Sequence, residues 1–157
     1  MFYNAILRGG DLFMSNYTYN ALKLSMEGAK KVLDAALAGA KETGRPVSVA
    51  VVDDGGNLMA FTRTDDAELY TIKIAIAKAR SAALTRFPTG KKSPTGNERS
   101  DHHALAITLA AGADSFVSMG GGAPIIVGSQ VVGGISVSGA GHNDEEIAKI
   151  AGKILDK

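Results

Sequence analysis

The chain has 157 residues, 45% apolar and 21% charged, which is the length and composition of one globular domain with enough core to fold without staples. Its 17 basic and 16 acidic residues leave a formal charge of +1, a balance that argues against nucleic-acid and anionic-membrane partners. There is no cysteine, so thiol nucleophiles, zinc–thiolate sites and iron–sulfur clusters are excluded, and no apolar run reaches the roughly 18–20 residues of a membrane span.

Residues 1–20 (MFYNAILRGGDLFMSNYTYN) lack the basic-then-apolar order of a secretory signal, and a cytoplasmic location is expected. Met14 opens a stretch that reads as an ordinary start. The preceding arm carries Phe2, Tyr3, Ile6, Leu7, Leu12 and Phe13 and is expected to lie against a neighbouring copy. Residues 21–157 are read as a single domain.

Ser25 is a good N-cap, and Met26, Ala29, Leu33, Ala36 and Ala40 recur at helical spacing before Gly44 and Pro46 stop the helix. A hairpin follows: 47–52 (VSVAVV), the turn residues 53–57 (DDGGN), then 58–62 (LMAFT). Asp65 or Asp66 can cap a second helix over about 67–85, with Leu69, Ile72, Ile76, Ala79 and Ala83 as its buried stripe. Lys73 and Arg80 share one flank of that helix and Lys78 projects from the other.

Residues 86–100 (RFPTGKKSPTGNERS) form a polar loop, of a length at which function becomes a usual explanation. A short helix is expected over 101–111. The last third is Gly-rich and β-branched. Residues 116–119 and 123–127 read as two strands or one bulged strand, and 131–138 as another. Gly133 and Gly134 inside that strand predict a bulge or a close backbone neighbour. Asn143 with Glu146 has the pattern of a capping box for a final helix that turns Ile147, Ile150, Ala151 and Ile154 inward. Short turns between strands, with helices between hairpins, predict an α+β fold with an antiparallel sheet rather than a Rossmann alternation.

Several constellations can carry chemistry. Gly121 and Gly122 precede a β-type run rather than a helix, so no helix dipole holds phosphate there. The 138–142 segment (SGAGH) does precede a helix. It reads either as an anion-holding loop or as a strand-to-helix turn that needs positive φ. Adjacent His102 and His103 point about 100° apart on a helix, so they do not grip one metal ion together, but either is an axial ligand candidate for haem or a corrinoid. Their alternative is a solvated pair. His142 beside a helix N-terminus is a candidate to accept, donate or coordinate, or is simply a surface turn residue. Ser138 with a histidine and Asp53 or Asp144 can be written as a hydrolytic set, although no nucleophile elbow surrounds it. The pairs Asp53–Asp54 and Asp65–Asp66 sit where turn and cap roles are expected. Arg63 and Lys78 together can meet a carboxylate or propionate, or can pair with Asp65 and Glu68.

Residues 51–67 (VVDDGGNLMAFTRTDDA) resemble the VVDxGGxLxAFxRxDxA signature of the HbpS/GlcG haem-degrading-domain family, which takes in the C-terminal domain of PduO-type proteins. Further similarity runs through Lys78-Ala79, the loop entry at 87–89, a GGxPI-like turn at 121–125, 131–139 (VVGGISVSG) and Asp144-Glu145. The resemblance implies profilin-like α/β/α layers with a five-stranded antiparallel sheet, homo-oligomers, and association with haem or corrinoids. It supplies no ligand residue, because His102, His103, Lys91 and Lys92 lie outside the signature, and Gly134 and Ser136 stand where Ala and Gly are more usual.

The resulting expectation is a homo-oligomeric binding protein for a small anionic or tetrapyrrole ligand. Its pocket would lie near the 86–103 segment and the 120–122 turn. Arg63 and Lys78 would meet carboxylates, His102 or His103 would be the axial candidate, and Gly121, Gly122, Ser138 and His142 would complete the site. The rivals are an enzyme acting on a small hydroxy- or oxo-acid, and an accessory subunit whose only ligand is protein.

Overall fold

Ser25 opens the first helix as its sequence predicts. Its hydroxyl accepts the Gly28 N–H at 3.1 Å, and α1 runs Met26–Glu42 in a computed structural model that describes residues 19–156. The expected N-terminal arm falls outside the described residues up to position 18. Ala29, Leu33, Ala36 and Ala40 are buried as expected, joined by Val32, whereas Met26 at the first turn is exposed.

The hairpin forms as β1 (Ser48–Asp53) and β2 (Leu58–Arg63). Asp53 fixes its turn by accepting the Gly55 and Asn57 N–H groups at 2.9 and 2.8 Å. This is an Asx-type turn, and it confirms the structural reading of that acidic pair. After β2 come α2 (Thr71–Thr85), α3 (Asp101–Ala111), β3 (Gly122–Val127), β4 (Gln130–Ser138), a 3-10 turn at Gly141–Asn143, and α4 (Asp144–Gly152). The strands order β2-β1-β4-β3, every neighbour antiparallel.

Strand alternation sorts the core into two layers. Val47, Val49, Val51, Ile135 and Val137 face α1 and α4, forming the larger cluster. Ala50 and Val52 face α2 and meet Ala75, Ala79 and Ala83. The second layer is thin because α2 lies almost on the sheet backbone. A Cβ on Gly134 would stand 2.1 Å from the Ala79 carbonyl oxygen, and one on Gly133 2.3 Å from that of Val52. Both expected causes of strand glycines therefore operate here, since β3 also slips register between Ile125 and Ile126 opposite this strand.

The α/β/α layering matches the expectation, but the sheet has four strands among the described residues. Residues 116–119 do not pair as a strand. Phe116 N–H is spent on Gly112 O, and Val117 N–H on Ser81 Oγ at 3.2 Å, so neither enters a ladder. Phe116 is buried beneath the Arg99 guanidinium, 5.5 Å from the ring centroid.

Two helix starts differ from the sequence reading. α2 begins at Thr71, because Asp66 adopts φ 63° in a turn and does not cap. Leu69 is consequently exposed, Ile72 and Ile76 are half-buried, and the buried face runs through Thr71, Ala75, Lys78, Ala79 and Ala82. In α4 the Asn143 side chain makes no cap bond. Asp144 Oδ1 reaches back to Ala140 N–H at 2.8 Å instead, so the expected capping box is replaced by one buried carboxylate. Ile147 and Ala151 point inward, while Ile150 and Ile154 are exposed.

Candidate functional site

The 86–100 segment is not a loose loop. Ser93 N–H donates to Asn97 O at 2.8 Å and Gly96 N–H to Ser93 O at 2.9 Å, while Lys92 and Glu98 form an antiparallel bridge. This is a miniature hairpin with turn chemistry legible in its S-P-T-G-N run. The Arg99 guanidinium closes its base on the carbonyls of Gly90 and Lys92 at 3.3 and 2.7 Å. Thr89 anchors it to the sheet: its hydroxyl accepts Gly122 N–H at 2.8 Å and its own N–H donates to Gly122 O at 2.9 Å.

Between this hairpin, the start of α3, residues 118–120 and α4 lies a cavity of about 810 Å³. It lies beside the segment near which the sequence reading puts a ligand pocket. Phe87, Pro88 and Met119 supply apolar wall, Lys91, Lys92, Arg99 and Lys149 supply cations, and Glu98, Asp101 and Glu145 supply carboxylates. Lys149 is held by Glu145 at 2.6 Å, and Lys91 and Lys92 are exposed with no ion pair among the described residues. The volume falls in the roughly 300–1,000 Å³ of small-molecule sites.

A second cavity of about 530 Å³ opens on the other side of Met119, at the end of the sheet where β4 finishes and α2 and α4 begin. Lys78 is 4% exposed and lines it. Its Nζ donates to Val137 O at 3.1 Å and to Asp144 Oδ2 at 3.2 Å. Gly121 (φ 110°) leaves room for this contact, since a Cβ there would stand 2.8 Å from Lys78 Nζ and 2.8 Å from Asp144 Cβ. Gly122 is needed for a like reason, its Cβ position being 2.6 Å from Lys78 O. The two glycines therefore serve close packing around Lys78, and neither lines either cavity.

The other candidate residues separate. Arg63 is exposed and donates to Ala67 O at 2.9 Å, so it meets neither Lys78 nor the acidic groups considered for it. His102 and His103 are exposed on α3 and line neither cavity, although Asp101 and Ala104 on the same helix line the larger one. His142 is exposed on the 3-10 turn, also outside both. Ser138 and Asp144 share the smaller cavity, but with a lysine and no histidine, so the hydrolytic set is not assembled. The anion held by the 138–142 turn is the chain's own Asp144 carboxylate, through Ala140 N–H. No cluster of three His, Asp or Glu residues suited to a metal ion occurs among the described residues.

Sequence reasoning missed the Lys78–Asp144 pair, because the two lie 66 positions apart. The one available signal was a lysine on a helix face otherwise made of small residues, alanine above all. As a test of fit for a tetrapyrrole, the larger cavity offers cations for propionates and the Met119 thioether as its soft donor, but no imidazole. The residues fit an anionic ligand's periphery better than its iron.

Comparison with known proteins accords with this architecture. A family model described as haem degrading protein HbpS-like matches residues 24–152. Protein GlcG of Escherichia coli K12 is 36% identical over 116 residues, covering 73% of this chain and 81% of GlcG. A double mutant of Streptomyces reticuli HbpS superposes with a TM-score of 0.74 at 29% identity, covering 96% of this chain and 99% of that one. The PduOC:Heme complex shares the fold at a TM-score of 0.64 and 24% identity, covering 83% and 93% of the two chains. With its signature, its layers and its relatives in agreement, the chain belongs to the HbpS-like family.

Proposed function

We propose that this protein is a homo-oligomeric binding protein for a small anionic ligand, tetrapyrrole carboxylates included, seated in the larger cavity. The carrying observation is the meeting of Lys91 and Lys92, exposed and without an ion pair among the described residues, with the apolar wall of Phe87, Pro88 and Met119 in one space of about 810 Å³, whose other cations, Arg99 and Lys149, are set against the carboxylates of Glu98, Asp101 and Glu145. Charge-assisted contacts from such cations suit carboxylate or propionate groups. The PduOC relative crystallised with haem supports the tetrapyrrole class. Self-association is supported by α3: none of its residues is buried, and Leu105 and Leu109 are 58% and 76% exposed. An apolar helix left bare on one chain fits burial between copies.

Titration with haemin, and separately with small dicarboxylates, tests the reading. A Soret shift or saturable binding that weakens about tenfold in Lys91→Ala/Lys92→Ala supports it. Histidine ligation is tested in the same experiment by His102→Ala and His103→Ala. No Soret shift in any of these proteins removes the haem version, and no binding of either ligand class removes the whole reading.

A further inference from the structure

The smaller cavity concentrates buried polar chemistry that the proposed anion site does not use. Eight polar or charged residues are buried in the described chain, and four of them, Thr71, Lys78, Ser138 and Asp144, line this one cavity. The rest of the α2 face toward the sheet is largely alanine. A buried ion pair is weak evidence for stability, because apolar residues of similar volume serve as well. The Lys78 ammonium has three N–H donors and two protein acceptors, Val137 O and Asp144 Oδ2. Ser138, 4% exposed, makes no side-chain hydrogen bond among the described residues. No buried side-chain polar atom among the described residues lacks a partner, so this unbonded hydroxyl is open to the cavity, where a ligand can meet it. Gly139 and Gly141, both at positive φ, bring bare backbone to the same wall.

The rim differs from the floor. Arg45 is exposed on it, and so are Asp66, Glu68 and Tyr70. Asp144 is already neutralised by Lys78 and Ala140 N–H. What faces a ligand is therefore one guanidinium against two carboxylates, over a floor of ammonium and hydroxyl donors. A simple anion leaves Asp66 and Glu68 opposed to it, and a simple cation leaves Arg45 opposed, since Lys78 is balanced by Asp144.

We propose that this cavity binds a small zwitterion, an amino acid with a polar side chain. Its carboxylate meets Arg45, its ammonium meets Glu68 and Asp66, and its side-chain oxygen or amide meets Ser138 and the remaining Lys78 N–H. The site is separate from the larger cavity, and its argument does not rest on the anion reading.

Amide NMR titration of the full chain with L-serine, L-threonine, L-asparagine and L-glutamine tests the proposal, with lactate and ethanolamine as anion-only and cation-only probes. The expected result is saturable shifts at Thr71, Ser138, Gly139 and Gly141 for at least one amino acid. Lactate and ethanolamine bind at least tenfold more weakly. Ser138→Ala, which removes no protein hydrogen bond, and Arg45→Gln each weaken the amino acid at least tenfold while the spectrum stays folded. No saturable shift at these amides from any of the four amino acids overturns the proposal. Lactate binding there as tightly as the best amino acid also overturns it. Shifts confined to Lys91, Lys92 and Arg99 would reject this site while leaving the anion site standing.

Discussion

Lys78→Met tests whether the buried lysine is a structural cross-link between α2, β4 and α4. Methionine keeps the apolar stem but removes the charge, leaving the Asp144 carboxylate with Ala140 N–H as its remaining partner in a site where the two side chains are 5% and 10% exposed. At 3.2 Å and an effective dielectric of about 20, the gross attraction is about 5 kcal/mol. Desolvation of both ions offsets much of that, so the pair's net worth is small. Removing one partner instead strands the other, which costs about 3–5 kcal/mol. For a domain of this size that corresponds to a fall in Tm of roughly 6–20 °C, at about 2–4 °C per kcal/mol. Asp144→Asn keeps an oxygen for Ala140 N–H but strands the ammonium, and is expected to cost a similar amount. The double variant is expected to be less damaging than the sum of the single ones by about 2–3 kcal/mol. Urea unfolding monitored by circular dichroism, on all four proteins at one pH, measures the cycle. Single variants that each cost under about 1 kcal/mol and add in the double would refute the reasoning, by showing that water already solvates the pair.

Other predictions follow from single features. Gly134→Ala places a methyl 2.1 Å from Ala79 O and is expected to lower the urea midpoint by the equivalent of about 3 kcal/mol, the upper end of overpacking costs. Ser100→Ala removes the hydroxyl that accepts His103 N–H at 3.2 Å. It is expected to cost α3 about 1 kcal/mol, read as faster hydrogen exchange at residues 101–104 with little change elsewhere. At Asp53 burial pushes the carboxyl up, but hydrogen bonds from Asn57 and Gly55 and the nearby Lys23 outweigh it, leaving the group below its ordinary value. A lowered folded pKa contributes stability above the unfolded value and loses it as pH falls through the folded one. The stability gap between the native chain and Asp53→Asn should therefore narrow below about pH 4, and a gap unchanged from pH 6 to pH 2.5 would refute that role. Leu105→Ser/Leu109→Ser is expected to lower the oligomeric state in sedimentation velocity without unfolding the chain, because neither side chain belongs to the core.

Local chemistry wrote much of this molecule into its sequence. The Ser25 cap, the β1–β2 hairpin with its Asp53 turn, the 101–111 helix and the strand over 131–138 all depend on neighbours a few residues apart. Gly133 and Gly134 announced a close backbone approach before its partners were known. The polar 86–100 segment stood out by composition alone, and it lines much of the larger cavity.

What the tertiary structure decided are the contacts between distant residues. Lys78 was read as a projecting cation and is instead buried at the end of β4, where its ammonium meets Val137 O and the Asp144 carboxylate. Phe116 to Met119 had strand-like composition, yet Ser81 and Gly112 claim the backbone donors of Phe116 and Val117. The three histidines, conspicuous in a chain that has only three, are all exposed and outside both cavities, two on α3 and one on the 3-10 turn. Residue type and spacing determined which groups could do chemistry. Strand register and helix height above the sheet determined which of them share a cavity, and neither quantity is encoded within any one local window.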